Sequence, residues 1–252
     1  MACVITLLAR KGGSGRTTLA INLASAFAQA GDRVVVVDLD TQASASQFYL
    51  GSERVSRLMP HETVAELGTD SIHPTKWAGV RVLPAHMSAP MPTRLDLRAV
   101  DADIVLVDTP PDFQVPVIHA ALASTDFALS PVLPEPFGAQ SIASLPAVVR
   151  KAVHNGNSRL ALLGFVINQR QRQIVHAAYE EVIRRVHGDK VFTTTISATA
   201  ALKQALAAGC PITEFEVSGR RDQAAVGKAA DQVRLLVAEI DDRIQAELEG
   251  RP

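Results

Sequence analysis

The sequence predicts an α/β protein: a mostly parallel, twisted sheet of about seven strands with helices on both faces. Short runs of Val, Ile and Leu recur along the chain, helical stretches separate most of them, and each run is apolar at nearly every position. A strand wet on one side alternates, whereas a strand buried on both sides reads as a continuous apolar run, so helices cover both faces. Helices between such strands imply right-handed crossovers and therefore parallel pairing.

CVITLLA (3–9) is the first strand, and TTLAINLASAFAQAG (17–31) the first helix, closed by Gly31. RVVVVD (33–38), VRVLPA (80–85), ADIVLVD (102–108), FALSPVL (127–133) and LALLGFVIN (160–168) follow as strands. Residues 51–79 are the least periodic part and are expected to form an excursion holding one short helix at most. From Asp222 to Leu248, Val226, Ala229, Val233, Leu236, Val237, Ile240, Ile244 and Leu248 return every three or four residues, which predicts a long amphipathic helix packed on the body. No repeat, low-complexity tract or linker divides the chain, so residues 1–252 are read as one domain.

Composition excludes several classes. A hydrophobic fraction of 47% and a mean hydropathy of +0.13 suit a globular protein with a buried sheet. The net charge is −1, so no global field draws the chain to nucleic acid or membrane, and any such contact needs a local patch. Cys3 and Cys210 are the only cysteines, which fits small buried side chains in a reducing compartment. The first apolar run is too short for a signal peptide, and no stretch approaches the ~20 apolar residues of a membrane span. A cytoplasmic location is expected.

KGGSGRTT (11–18) stands between the first strand and the first helix. Gly12, Gly13 and Gly15 let the backbone turn tightly with its N–H groups inward, and the helix start adds its positive end, so this hollow favours phosphate. Lys11, Ser14, Arg16 and Thr18 complete the loop, and the Thr17 hydroxyl is placed to ligate Mg²⁺. An ordinary glycine-rich turn is the alternative, which eight residues in this context disfavour. Asp38, Asp40 and Asp108 end two buried strands beside the loop, where a hard cation would sit.

With these residues in view, the chain resembles the ParA/MinD class of deviant Walker A ATPases, and its fold the P-loop NTPase type. KGGSGRTT is similar to that class's KGGxGK[ST][ST], VVVVDLDTQASAS (34–46) to its first switch and ADIVLVDTPPDF (102–113) to its Walker B strand and second switch. The resemblance implies ATP/ADP and Mg²⁺ as ligands, and an ATP-sandwich homodimer in which Lys11 reaches the partner's nucleotide. It implies Asp38 and Asp40 serving the Mg²⁺ shell and the attacking water, with Asp40 nearer the water, and Asp108 holding Mg²⁺ through water. Arg16 departs from the pattern by replacing lysine. It keeps the charge but is longer and planar, so nucleotide binding should survive while turnover is slowed.

Within the class, the acidic tail DDRIQAELEGRP argues against a membrane helix, no cysteine lies near the switches to ligate a cluster, and the chain starts directly in its first strand. The likeness therefore falls to small ParA-type partition ATPases lacking an N-terminal helix-turn-helix, which implies non-specific DNA binding, a ParB-type partner and a nucleoid-associated location. Lys203, Arg220, Arg221, Lys228 and Arg234 are the DNA-binding candidates, with Arg184 and Arg185 behind them; each is equally compatible with a solvated helix face. Asn168 is expected at the adenine edge and the GCPI loop with Pro211 over the ring. Trp77 is read as packing. Two other readings stay open: a pseudo-ATPase that binds ATP and positions a protein cargo without cycling, and a scaffold with an empty loop.

Overall fold

The structure is a computed structural model and describes residues 1–66, 71–113 and 115–250. At its centre lies a seven-stranded sheet in the order β3-β4-β2-β5-β1-β6-β7. The strands are β1 (Cys3–Leu7), β2 (Val34–Asp38), β3 (His73–Pro74), β4 (Val80–Leu83), β5 (Ile104–Asp108), β6 (Phe127–Val132) and β7 (Ala161–Ile167). The helices are α1 (Arg16–Ala30), α2 (Ser44–Leu50), α3 (Ser52–Val55), α4 (Pro116–Leu122), α5 (Pro136–Ile142), α6 (Leu145–His154), α7 (Ile174–His187), α8 (Ala200–Ala207) and α9 (Arg220–Glu249). Neighbouring strands are parallel except β3, which lies antiparallel on β4.

Alternate residues of each strand enter different cores, which is why the strands are apolar throughout. Ile5, Leu7, Val34, Val36, Ile104 and Leu106 pack with α1, α8 and α9. Val4, Val35, Val37, Val105 and Val107 pack with α4, α6 and α7 on the other face. Register then aligns the strand ends: Asp108 pairs with Leu7 of β1 on one side and with Asp38 of β2 on the other. The two carboxylates so stand side by side where β1 enters the glycine loop.

Three expectations change. The seventh strand is β3, two residues inside the stretch 51–79, held at the sheet edge by β4 and by His73, whose Nε2 lies 2.7 Å from the Glu62 carbonyl. A strand so short has no periodicity to detect. Besides the one short helix expected there, α3, that stretch contains two 3-10 turns, while its residues 67–70 lie outside the described residues. Cys3 and Cys210 are partly exposed rather than buried, since one opens β1 and the other sits in the loop after α8. Trp77 packs against the α1–α9 core, with the Lys76 ammonium 4.6 Å from its ring centroid.

Candidate nucleotide-binding site

The loop from β1 to α1 is shaped by two left-handed glycines, Gly13 at φ 75° and Gly15 at φ 86°. Gly15 has a second reason to be glycine: a Cβ there would stand 2.4 Å from Asn168 Nδ2. Asn168 Nδ2 donates to the Ser14 carbonyl at 2.8 Å, and Gln169 Nε2 donates to the Gly13 carbonyl at 2.8 Å. Two side chains beyond β7 thus hold two loop carbonyls. In a trans peptide the following N–H points the opposite way, so the amides of Ser14 and Gly15 face away from β7, available to an anion. Asn168 was expected at the base edge; here it is 2% exposed and braces the phosphate loop. Gln169 shares that task and carried no sequence signal, being one polar residue in a turn.

The acidic corner lies beneath this loop. Asp108 Oδ2 accepts the Thr17 hydroxyl at 2.6 Å, while its Oδ1 is buried without a partner. Burial, then the neighbouring Asp38, raises the Asp108 carboxyl to about 7, opposed by the Thr17 hydrogen bond and Arg16. Asp38 is raised to about 6, first by burial. Its Oδ1 accepts the Asp40 amide at 3.0 Å, and its Oδ2 accepts the Ser46 amide at 2.9 Å and the Ser46 hydroxyl at 2.7 Å. A buried pair of like charges, an orphaned carboxylate oxygen and a facing hydroxyl suit a hard divalent cation, which reverses the local preference for protonation. Thr17 and Asp108 therefore fit Mg²⁺. Asp38, with both oxygens engaged, instead ties the first turn of α2 to the end of β2. Ser46, its partner at that joint, lay within the first-switch segment but had no spacing to single it out.

Arg16 is buried at 8% exposure, its Nη1 donating to the Ala9 carbonyl and its Nε without a partner. Burial lowers its pKa from the ordinary value, against the pull of Asp108 and Asp40. The guanidinium thus lies inside the site. Asp40 is half-buried at the site's mouth, with Oδ1 accepting the Gln42 amide at 3.0 Å. Lys11 stays on the rim, paired with Glu135 from the loop between β6 and α5. Pro211, expected over the base, is buried, and the Ile212 amide donates to Asn22 Oδ1 at 2.8 Å, tying the GCPI loop to α1. Gly12 and Gly13 are exposed, and Thr18 accepts Asn22 Nδ2 at its carbonyl, 2.7 Å away.

The five basic candidates are all exposed, but they do not form one cluster. Lys203 and Lys228 line a groove of about 720 Å³ together with Arg170 and Arg172, which sequence reasoning had not selected, and with Thr195, Ser197 and Thr199. Arg220 and Arg221 open α9. Arg234 is turned elsewhere, pairing with Asp231 at 3.1 Å and reaching Gln29 of α1. Arg184 is taken up by Glu180 and the Phe192 carbonyl.

Residues 5–212 match the family described as the CobQ/CobB/MinD/ParA nucleotide binding domain. The chain belongs to this family. It is 33% identical over 252 aligned residues to the chromosome-partitioning ATPase Soj of Thermus thermophilus, covering 96% of both chains. Its fold matches a plasmid partition protein of Borrelia burgdorferi bound to AMPPNP, with a TM-score of 0.73 at 19% identity, covering 94% of this chain and 98% of that one. It also matches the septum site-determining protein MinD of Pyrococcus horikoshii complexed with Mg-ADP, with a TM-score of 0.72 at 23% identity and coverage of 95% and 99%. The expected P-loop fold and the ParA/MinD resemblance thus hold, and the family's members include ATPases of partition. No described helix is long and apolar enough to cross a membrane.

Proposed function

We propose that this protein is a ParA-type ATPase of DNA partition, which binds Mg·ATP, dimerises around it, holds DNA without sequence preference and is stimulated by a ParB-type partner. The observation that carries this reading is the separation of the loop's two cations. Arg16 is buried inside the site, whereas Lys11 stands on the rim, turned sideways to Glu135. A cation on the rim is available to a second protomer. The same end of the sheet exposes Phe137 of α5 at 69% and Ile174 of α7 at 91%, apolar surface that a partner copy would cover.

In this reading the loop amides and Arg16 bind the phosphates, Thr17 and Asp108 hold Mg²⁺, and Asp40 orients the attacking water. Bound Mg²⁺ neutralises charge on the phosphate oxygens and thereby eases attack at phosphorus. Asn168 and Gln169 keep the loop in shape. The groove of Lys203, Lys228 and Arg172, with Arg220 and Arg221, supplies the cations for backbone phosphates. The site of action is then the nucleoid, in the cytoplasm.

Light scattering tests the core of the proposal. Mg·ATP, and not Mg·ADP, should double the mass, and Lys11→Ala should abolish that doubling while still binding ADP. An unchanged mass with ATP defeats the dimer; calorimetry showing neither nucleotide bound defeats the whole reading. The burial of Arg16 against the Ala9 carbonyl favours one second reading, a pseudo-ATPase that positions a cargo with ATP held unhydrolysed. Single-turnover hydrolysis with DNA and partner present separates the two.

A further inference from the structure

Glu135 stands at the N-cap position of α5, yet its side chain makes no capping hydrogen bond. It pairs instead with Lys11, 124 residues away in sequence. The backbone carrying the carboxylate is fixed: the Glu135 amide donates to the Leu133 carbonyl at 2.8 Å, and the Gly138 amide to the Glu135 carbonyl at 3.0 Å. Gly138 lets that turn close, since a Cβ there would lie 1.9 Å from the Leu133 oxygen. Lys11 is on the glycine loop, whose Gly13 and Ser14 carbonyls are held by Gln169 and Asn168. Both ends of the ion pair thus rest on braced backbone. Both side chains are about a third exposed, 38% for Lys11 and 31% for Glu135, so the pair is open to an incoming competitor.

We propose that Glu135 is a latch on Lys11: it holds the ammonium within its own protomer, and dimerisation exchanges this carboxylate for the partner's triphosphate. The inference rests on the reading that Lys11 acts across a dimer. One carboxylate carries a single negative charge, whereas a triphosphate carries several, so ATP on a second protomer outcompetes the latch while water or a nucleotide-free copy does not. ADP lacks the terminal phosphate and competes less well. The latch therefore raises the ATP concentration needed for dimerisation and keeps the nucleotide-free protein monomeric. Glu135 is a positioning residue here, since it acts through Lys11.

The test is the ATP concentration at half-maximal dimer, read by sedimentation velocity with full-length protein and Mg²⁺. An exposed or half-exposed ion pair is worth up to about fivefold in an equilibrium constant, and each dimer opens two while taking up two ATP, so Glu135→Gln should raise the dimerisation constant by up to about 25-fold and lower the ATP midpoint by up to about fivefold. Glu135→Ala should do the same, which guards against a folding defect peculiar to one variant. Both variants should bind ADP as wild type does, a readout that loosening of the loop would disturb. In a Lys11→Ala background, replacing Glu135 should change nothing. If the midpoint is unchanged or raised by both Glu135 variants while Lys11→Ala still loses the dimer, the latch is wrong and the trans role of Lys11 stands. If Lys11→Ala dimerises like wild type, the trans role fails and the latch falls with it.

Discussion

Arginine and lysine at position 16 differ less in charge than in where that charge can sit. Arg16 spends Nη1 on the Ala9 carbonyl and buries Nε without a partner, so part of its donor fork is committed before phosphate arrives. Ground-state attraction to phosphate follows the charge, whereas the transition state also depends on its position. Arg16→Lys should therefore raise single-turnover hydrolysis by about tenfold, or ~1.4 kcal/mol, with a much smaller change in ATP affinity. An equal or slower rate would mean that the loop is matched to arginine. Gly15 permits a sharper test of the loop itself. Gly15→Ala would force a Cβ to 2.4 Å from Asn168 Nδ2 in a left-handed backbone, displacing the brace on Ser14. ATP and ADP affinity should both drop at least tenfold by calorimetry, equivalent to about 1.4 kcal/mol or more. At this scale the sequence exposed the loop and the strand-end acids, whose types and spacing are local. It could not expose Ser46, Gln169 or Glu135, because each acts on a residue fixed only by tertiary register.

The elements show the same division. Continuous apolar runs made six of the seven strands legible, and a three-and-four periodicity made α9 legible, since both patterns record burial directly. The two-residue β3 and the groove between the loop after β7 and α9 record none, as their residues meet only through packing. That groove revises the DNA surface. Lys203 and Lys228 share it with Arg170 and Arg172, while Arg234 is paired with Asp231 on another part of α9. Each groove cation that neutralises a backbone phosphate should contribute about −0.9 to the slope of log affinity against log salt. Lys203→Ala, Lys228→Ala and Arg172→Ala should each flatten the slope by about one, measured by fluorescence anisotropy on unrelated duplexes with ATP. Arg234→Ala should leave it unchanged. A slope altered by Arg234 alone would move the DNA surface away from the groove.

Across the whole molecule, α9 joins the two ends of the chain by packing along α1, and its apolar seam belongs to the same core as β1 and β2. The polar margin of that helix carries an unfavourable feature. Asp241 is raised to about 6, first by burial and then by Asp32, which follows α1, and by Asp242. Asp32 is itself raised, by burial and then by Asp103. Unfolding releases Asp241 to an ordinary carboxylate near 3.8. Between that value and about 6 the folded state holds a proton that the unfolded state has lost, so stability falls as pH rises through this window and stays lower above it. Asp241→Asn removes the charge while keeping the shape of the protonated acid. The variant should melt above wild type at pH 7 to 8, and the two should converge as the pH approaches 4. Because the group is only partly buried, solvent screening holds the gain to about 1 kcal/mol, or roughly 2–4 °C for a domain of this size. Thermal melts across pH 4 to 8 read the sign directly. A gain that persists unchanged at pH 4 would assign the effect to packing, and a loss at pH 8 would show that Asp241 makes a favourable contact along α9 that outweighs its repulsion from Asp32.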